Sequence, residues 1–309
     1  MHLYIHTSYL HIHLNITYYN YNLEVKNMRK SLIGILLLSI VIIGIALPIG
    51  FSAQSNSKVI SYGETTYNNQ EYKSIVDNFF NQQSGVDVKN VESKIITAGE
   101  VNKVASKFTQ KTYTSEQILS SALVDLSDQG NIKVTVDKSK ITTITADMYI
   151  SALKSAGINH GHVYVTSPIT ATGESALTGI MNSYEAATDV AIPENVKQAA
   201  NNEIYTESEV VQKDNVSAQD LNKLVDDVKV TVQNNNITDH RTIVNIIENY
   251  TVNNNIHLSN SSIENLATSI GGVQSVQGDV KNYSNQVTQI VGDNASGFSL
   301  DGILSKLGL

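Results

Sequence analysis

From Lys58 onward, short runs of alternating apolar and polar residues give way to runs with helical spacing, and back again. Val59-Ile60-Ser61-Tyr62 predicts a strand. Glu71 to Asn81 predicts a helix with Tyr72, Ile75, Val76, Phe79 and Phe80 on one face. Lys94 to Thr97 predicts a second strand, followed by a helix carrying Val101, Val104 and Phe108. Ile118 to Leu126 and Asn131 to Val136 read as two strands, with Ser127-Asp128-Gln129-Gly130 as the turn of a hairpin. Thr145 is placed to cap a helix whose core face is Met148, Tyr149, Ala152, Leu153 and Ala156, and Gly157 ends it. His162 to Thr166 follows as a strand closed by Ser167-Pro168. Gly173 to Ala187 is the next helix, burying Leu177, Ile180, Met181 and Tyr184. Residues 54–212 therefore predict an α+β domain, a small sheet with helices over one face.

Beyond Lys213 the composition shifts to Asn, Ser, Gln, Val and Ile, and residues 213–309 predict a helical C-terminal region. Asn234-Asn235-Asn236 and Asn253-Asn254-Asn255 are its polar breaks. Ser217 with Asp220 resembles a capping box ahead of Leu221, Leu224, Val225 and Val228. Thr238 is placed to cap a helix bearing Ile243, Val244, Ile246, Ile247 and Tyr250. Ser259 opens the longest helix, which runs through Ile263, Leu266, Ile270, Val273, Val276, Val280, Tyr283, Val287 and Ile290. Leu266, Val273, Val280 and Val287 fall seven apart. The charges that would choose a coiled-coil partner are scarce, so this stripe is expected to pack within its own chain. Phe298 to Leu309 is a short amphipathic piece whose single basic residue, Lys306, gives weak attraction to a membrane.

The N-terminal part follows another logic. Ser31 to Phe51 carries no charge, Arg29 and Lys30 precede it, and Pro48 lies near its end. Together these describe an export signal over residues 28–53, with cleavage between Ser52 and Ala53. Left uncleaved, residues 31–51 would be long enough to anchor the protein, since a bilayer needs roughly 20 apolar residues. Either way the positive flank stays inside and the remainder is expected outside. Residues 1–27, rich in His and Tyr, read as leader upstream of a start at Met28. Glu24-Val25 is compatible with a ribosome-binding sequence in the DNA. His2, His6, His11 and His13 there are compositional evidence only.

The stretch from Ile141 to Glu185 resembles the domain-of-unknown-function family 1002. The matching positions are Ile144, Thr145, Met148, Tyr149, Ala152, Leu153, Ala156, Gly157, Ile158, Val163, Val165 and Pro168, then Ala176-Leu177-Thr178-Gly179-Ile180. The resemblance extends over about Val59 to Val291. It implies an exported protein with no assigned activity, and its motif carries no chemistry. Glu174 departs from it, standing where the family more often has a small residue.

Composition narrows the possibilities. The 309 residues include no Cys and no Trp, and the formal net charge is −8. Zero Cys excludes a disulfide scaffold, a thiolate metal site and a Cys nucleophile. The acidic balance argues against nucleic acid as a partner. No cofactor is expected. The metal candidate is His160-Gly161-His162, because residues two apart on a strand face the same side. Asp125 to Gly130 lacks the ligand pattern of a calcium loop and reads as a turn. Ser175, in Gly173-Glu174-Ser175, lacks the last Gly of a nucleophile elbow and belongs in the first turn of a helix. The Thr166–Gly173 junction has backbone N–H groups but no phosphate-loop Lys. Glu203, Glu207, Glu209, Asp214, Asp220, Asp226 and Asp227 read as a solvated acidic face. The seven Asn-x-Ser/Thr sequons match chance for this composition.

These observations predict an exported cell-surface or secreted protein, more a binding or envelope-organising module than an enzyme. Its partner would be an envelope or extracellular component, with the membrane added if residues 31–51 are retained. The alternative is a secreted hydrolase of envelope polymers, which requires two acids converging in a cleft, about 5–9 Å apart.

Overall fold

The computed structural model describes residues 57–105, 112–128 and 130–293. The chain begins with strand β1 (Lys58–Gly63), helices α1 (Glu64–Asn68) and α2 (Gln70–Ser84), strand β2 (Glu92–Ile96) and helix α3 (Ala98–Ala105). Then come β3 (Ser121–Asp125), β4 (Lys133–Val136), α4 (Ala146–Ser155), β5 (His162–Thr166) and α5 (Ser175–Thr188). Five helices complete it: α6 (Glu194–Asp214), α7 (Ala218–Asn234), α8 (His240–Asn254), α9 (Asn260–Ser275) and α10 (Gln277–Asp293). The fold is α+β, as the hydrophobic pattern predicts.

The sheet order is β2-β1-β3-β5-β4. β1 runs parallel to β2 and antiparallel to β3, and β5 runs antiparallel to β3 and parallel to β4. The predicted β3–β4 hairpin is therefore absent, because β5 lies between those strands. Burial explains the order. β3 is buried at every position and β5 nearly so, whereas β4 is partly exposed throughout. A strand buried on both faces needs backbone partners on both edges, and an exposed one suits the rim. The turn residues have another use: the Asp125 carboxylate accepts from Ser127, and Asp128 accepts from Gly130 N–H and Lys133 Nζ.

Helices cover both faces of the sheet rather than the single face expected. Ala122, Val124, Val163 and Val165 point into the larger core beneath α4, α5 and α6. Ile60, Tyr62, Leu123 and Tyr164 meet Val76 and Phe80 of α2 on the other side. Both alternating sets are apolar in the central strands, so neither can face water. On α2 the wet side includes Ile75, which is exposed.

Helix ends follow their caps. Thr145 Oγ1 accepts from Met148 N–H to start α4, and Gly157 takes the left-handed conformation (φ 78°) just beyond its end. Ser217 and Ser259 open α7 and α9 in the same way. The cap of α8 is Asp239, not Thr238, since its carboxylate accepts from both Thr242 N–H and Thr242 Oγ1. The expected long C-terminal helix breaks at Val276 into α9 and α10. Its stripe packs inside the chain. Leu266 joins Leu221, Leu224, Ile243 and Ile247 in a helical core, while Val273 and Val280 join the core under the sheet. α6, which the hydrophobic pattern does not reveal, reaches both cores through Ile204 and Val210.

The signal or anchor at residues 28–53, the Ser52–Ala53 junction, Phe108 and the segment from Phe298 to Leu309 lie outside the described residues. No helix among the described residues is long and apolar enough to cross a membrane.

Candidate functional site

α6 is buried on every side from Ala199 to Ser208. Glu203 and Glu207 lie one turn apart on it, and each is only 1% exposed. This corrects the expectation of a solvated acidic face. Lys229 of α7 faces Glu203, with Nζ 2.5 Å from Oε1. The same amine donates to Ser151 Oγ and Ser155 Oγ, one turn apart on α4, and lies 3.3 Å from Asp226 Oδ1. Ser151 Oγ is within hydrogen-bond distance of both Glu203 Oε1 and Asp226 Oδ1, and its single proton serves one of them at a time. Asn222 Nδ2 donates to the other oxygen of Asp226, whose side chain is half exposed and forms the wet edge of the cluster.

The charges in this cluster do not balance by simple pairing. Neither oxygen of Glu207 has a hydrogen-bond partner, and neither does Glu203 Oε2. Burial, and then the negative charge on Glu203, push the Glu207 carboxyl well above the usual carboxylate range, against the pull of Lys229. Burial works against the charge on Lys229, but the attraction of Glu203 and Asp226 wins and its pKa is raised. The cluster thus contains an amine whose charge is favoured by its acidic neighbours, a carboxyl group in direct contact with it, and a second carboxyl one turn away whose ionisation is opposed.

The other acids are separate. Asp214 Oδ2 accepts from Ser259 N–H at 2.8 Å, and Asp227 accepts from Lys223 and Tyr250. Glu174 stands at the N-cap of α5 and is buried, its oxygens accepting from Thr172 Oγ1 and Ser208 Oγ. Ser175 is the first residue of α5.

His160 and His162 are engaged differently. His160 forms a bridge with Asn131, and its carbonyl accepts from Tyr184 OH. Gly161, at φ 99°, interrupts the extended chain between them. The His162 ring stacks on Tyr164 at 4.1 Å. Its Nε2 lies 2.9 Å from Thr135 Oγ1, and its Nδ1 lies 3.0 Å from Tyr164 OH. Burial lowers its pKa, against the pull of Asp128 and Asp125. No group of three or more His, Cys, Asp or Glu able to hold a metal occurs among the described residues.

A polar cleft of about 410 Å³ opens where α6, α7 and α8 end or begin, lined by Asp214, Asp220, Lys223, Tyr250, Asn254 and His257. A crevice beside His160, Tyr184 and Val287 has only about 10 Å³, room for no more than one water.

Residues 62–290 match the family described as "Protein of unknown function (DUF1002)", and the chain belongs to that family. It is 32% identical over 164 residues to the "Uncharacterized protein YpuA" of Bacillus subtilis (strain 168), an alignment covering 52% of this chain and 56% of that one. The chain thus spans about half the length of the curated relative it matches. No solved structure matches.

Buried polar residues are what sequence reasoning misses here. Val196, Ala200, Glu203, Glu207 and Val210 recur at spacings of four and three. Two acids inside an apolar stripe are the signal that marks α6 and its charged interior.

Proposed function

We propose that this protein is exported and acts at the cell surface or in the medium as a non-enzymatic module that binds or organises an envelope component. The observation that carries this reading is the uncharged run from Ser31 to Phe51 behind Arg29 and Lys30. Such a segment directs export and leaves the following chain outside. The engagement of the buried acids supports the binding role over the hydrolytic one. Glu203 is held by Lys229, and Glu174 is covered by Thr172 and Ser208. A carboxyl pair that cleaves a glycosidic bond must flank a substrate, and these carboxyls face protein groups. The polar cleft beside Tyr250 has a volume in the range of ligand sites and offers amide, ammonium and carboxylate groups to a polar partner.

N-terminal peptide mass spectrometry on native protein, from medium and membrane fractions separately, tests the reading. A start at Ala53 in the medium is the expected result for a cleaved signal. A start at Met28 in the membrane fraction is the expected result for an anchored surface protein. Recovery from the cytoplasmic fraction alone, with residues 31–51 present, would overturn it.

A further inference from the structure

Lys229 and Glu203 are in direct contact, and their surroundings are unusual. They come from different helices, and both are withdrawn from water. Glu203 Oε1 is in contact with the amine, while Oε2 has no hydrogen-bond partner holding it. Ser151 Oγ touches both the amine and the carboxylate. One turn along α6, Glu207 presents a second carboxyl with no hydrogen bond of its own. We propose that Lys229 and Glu203 condense to an intramolecular isopeptide bond that joins α6 to α7 covalently.

The step balances without any co-reactant. A proton passes from Lys229 Nζ to Glu203 Oε1 across their 2.5 Å contact, leaving a neutral amine and a neutral acid. The Nζ lone pair then attacks Cδ of Glu203 and forms the C–N bond. A second proton leaves nitrogen, the C–O bond breaks, and one oxygen departs as water. Ser151 Oγ, within hydrogen-bond distance of both Nζ and Oε1, relays the proton released by nitrogen to the departing oxygen. Ammonium plus carboxylate becomes amide plus water, so two buried charges vanish together. In water that exchange is opposed by the hydration of both ions. Here the hydration is already lost, and the desolvation of a buried ion pair favours the uncharged product. Holding the groups in contact supplies the effective concentration, which for well-oriented neighbours reaches about 10⁵–10⁸ M. A link of this kind also needs no thiol, in a chain with no Cys.

The test is the intact mass of the purified full-length protein after acid denaturation. The expected mass is one water below that of the sequence. Tryptic digestion should then yield Gln198–Lys213 joined to Leu224–Arg241, uncut after Lys229. The Lys229→Met variant should carry its full sequence mass, and Ser151→Ala should lose or greatly slow the water loss. Full mass in the unaltered protein, with normal cleavage after Lys229, would overturn the proposal whether or not any variant folds. A link closed within Leu224–Arg241 would also overturn it, by assigning the bond to Asp226.

Discussion

Glu207 gives this protein a built-in dependence on pH. Its carboxyl titrates near 4.5 in an unfolded chain and well above that in the folded one, because burial opposes ionisation. Between those two values the folded state binds the extra proton. The stability contributed by this group is full below the ordinary carboxylate range and is lost as pH rises through the raised value. Urea unfolding should show the midpoint falling as pH increases above the ordinary carboxylate range. Glu207→Gln, which cannot ionise, should flatten that slope, and parallel slopes for both proteins would refute the assignment. Some residue-level roles can be read directly. Thr145 ahead of an apolar helical run is recognisably a cap, and Gly157 recognisably a stop. Glu203 and Glu207 cannot be read this way, because a carboxylate in sequence looks the same whether it meets water or Lys229.

Among elements, α5 approaches the sheet most closely through Gly179. A Cβ placed there would lie 2.5 Å from Ser61 Oγ and 3.0 Å from Ile96 Cγ1. Gly179→Ala must therefore push α5 away from β1 or distort both. An overpacked core site typically costs about 1–3 kcal/mol, and that loss should appear in denaturant melts with an unchanged slope. An unchanged midpoint would show that the helix can shift freely. α4, α7, α8 and α9 are legible because each keeps one apolar stripe and a capping residue, and α5 because of its apolar stripe alone. α6 is not, since it sits in the middle of the helical layers and carries Asn201, Asn202, Thr206 and Ser208 inward as well as its acids. Polar residues satisfied by neighbouring helices erase the periodicity that a surface helix displays. The false hairpin has a related origin. Turn chemistry at Asp128 and Gly130 is local, whereas the placement of β5 between β3 and β4 depends on contacts made after the chain has gone through α4.

At the scale of the whole molecule, α6 ties two hydrophobic cores together. Ile204 and Tyr205 belong to the core beneath the sheet, and Val210 packs with Leu221, Leu224 and Ile247 in the helical core. α9 and α10 add a second connection, with Leu266 in one core and Val273 and Val280 in the other. Melting one core removes support from the other, so unfolding should be a single transition. Tyrosine fluorescence and far-ultraviolet circular dichroism should trace coincident curves. Two separated steps would mean that the helical region unfolds independently of the sheet.

Local and periodic features are what the amino-acid order determined by itself: the α+β class, most helices and their caps, the uncharged N-terminal run, and the family motif around Thr145 and Gly179. Each depends on residues within one or two turns of one another, where side-chain spacing and backbone preference act directly. The tertiary structure alone decided the strand order, the covering of both sheet faces, the break at Val276 and the charged interior of α6. Those features arise from groups far apart in the chain, such as Ser151, Glu203 and Lys229, whose chemistry changes once packing has removed the water between them.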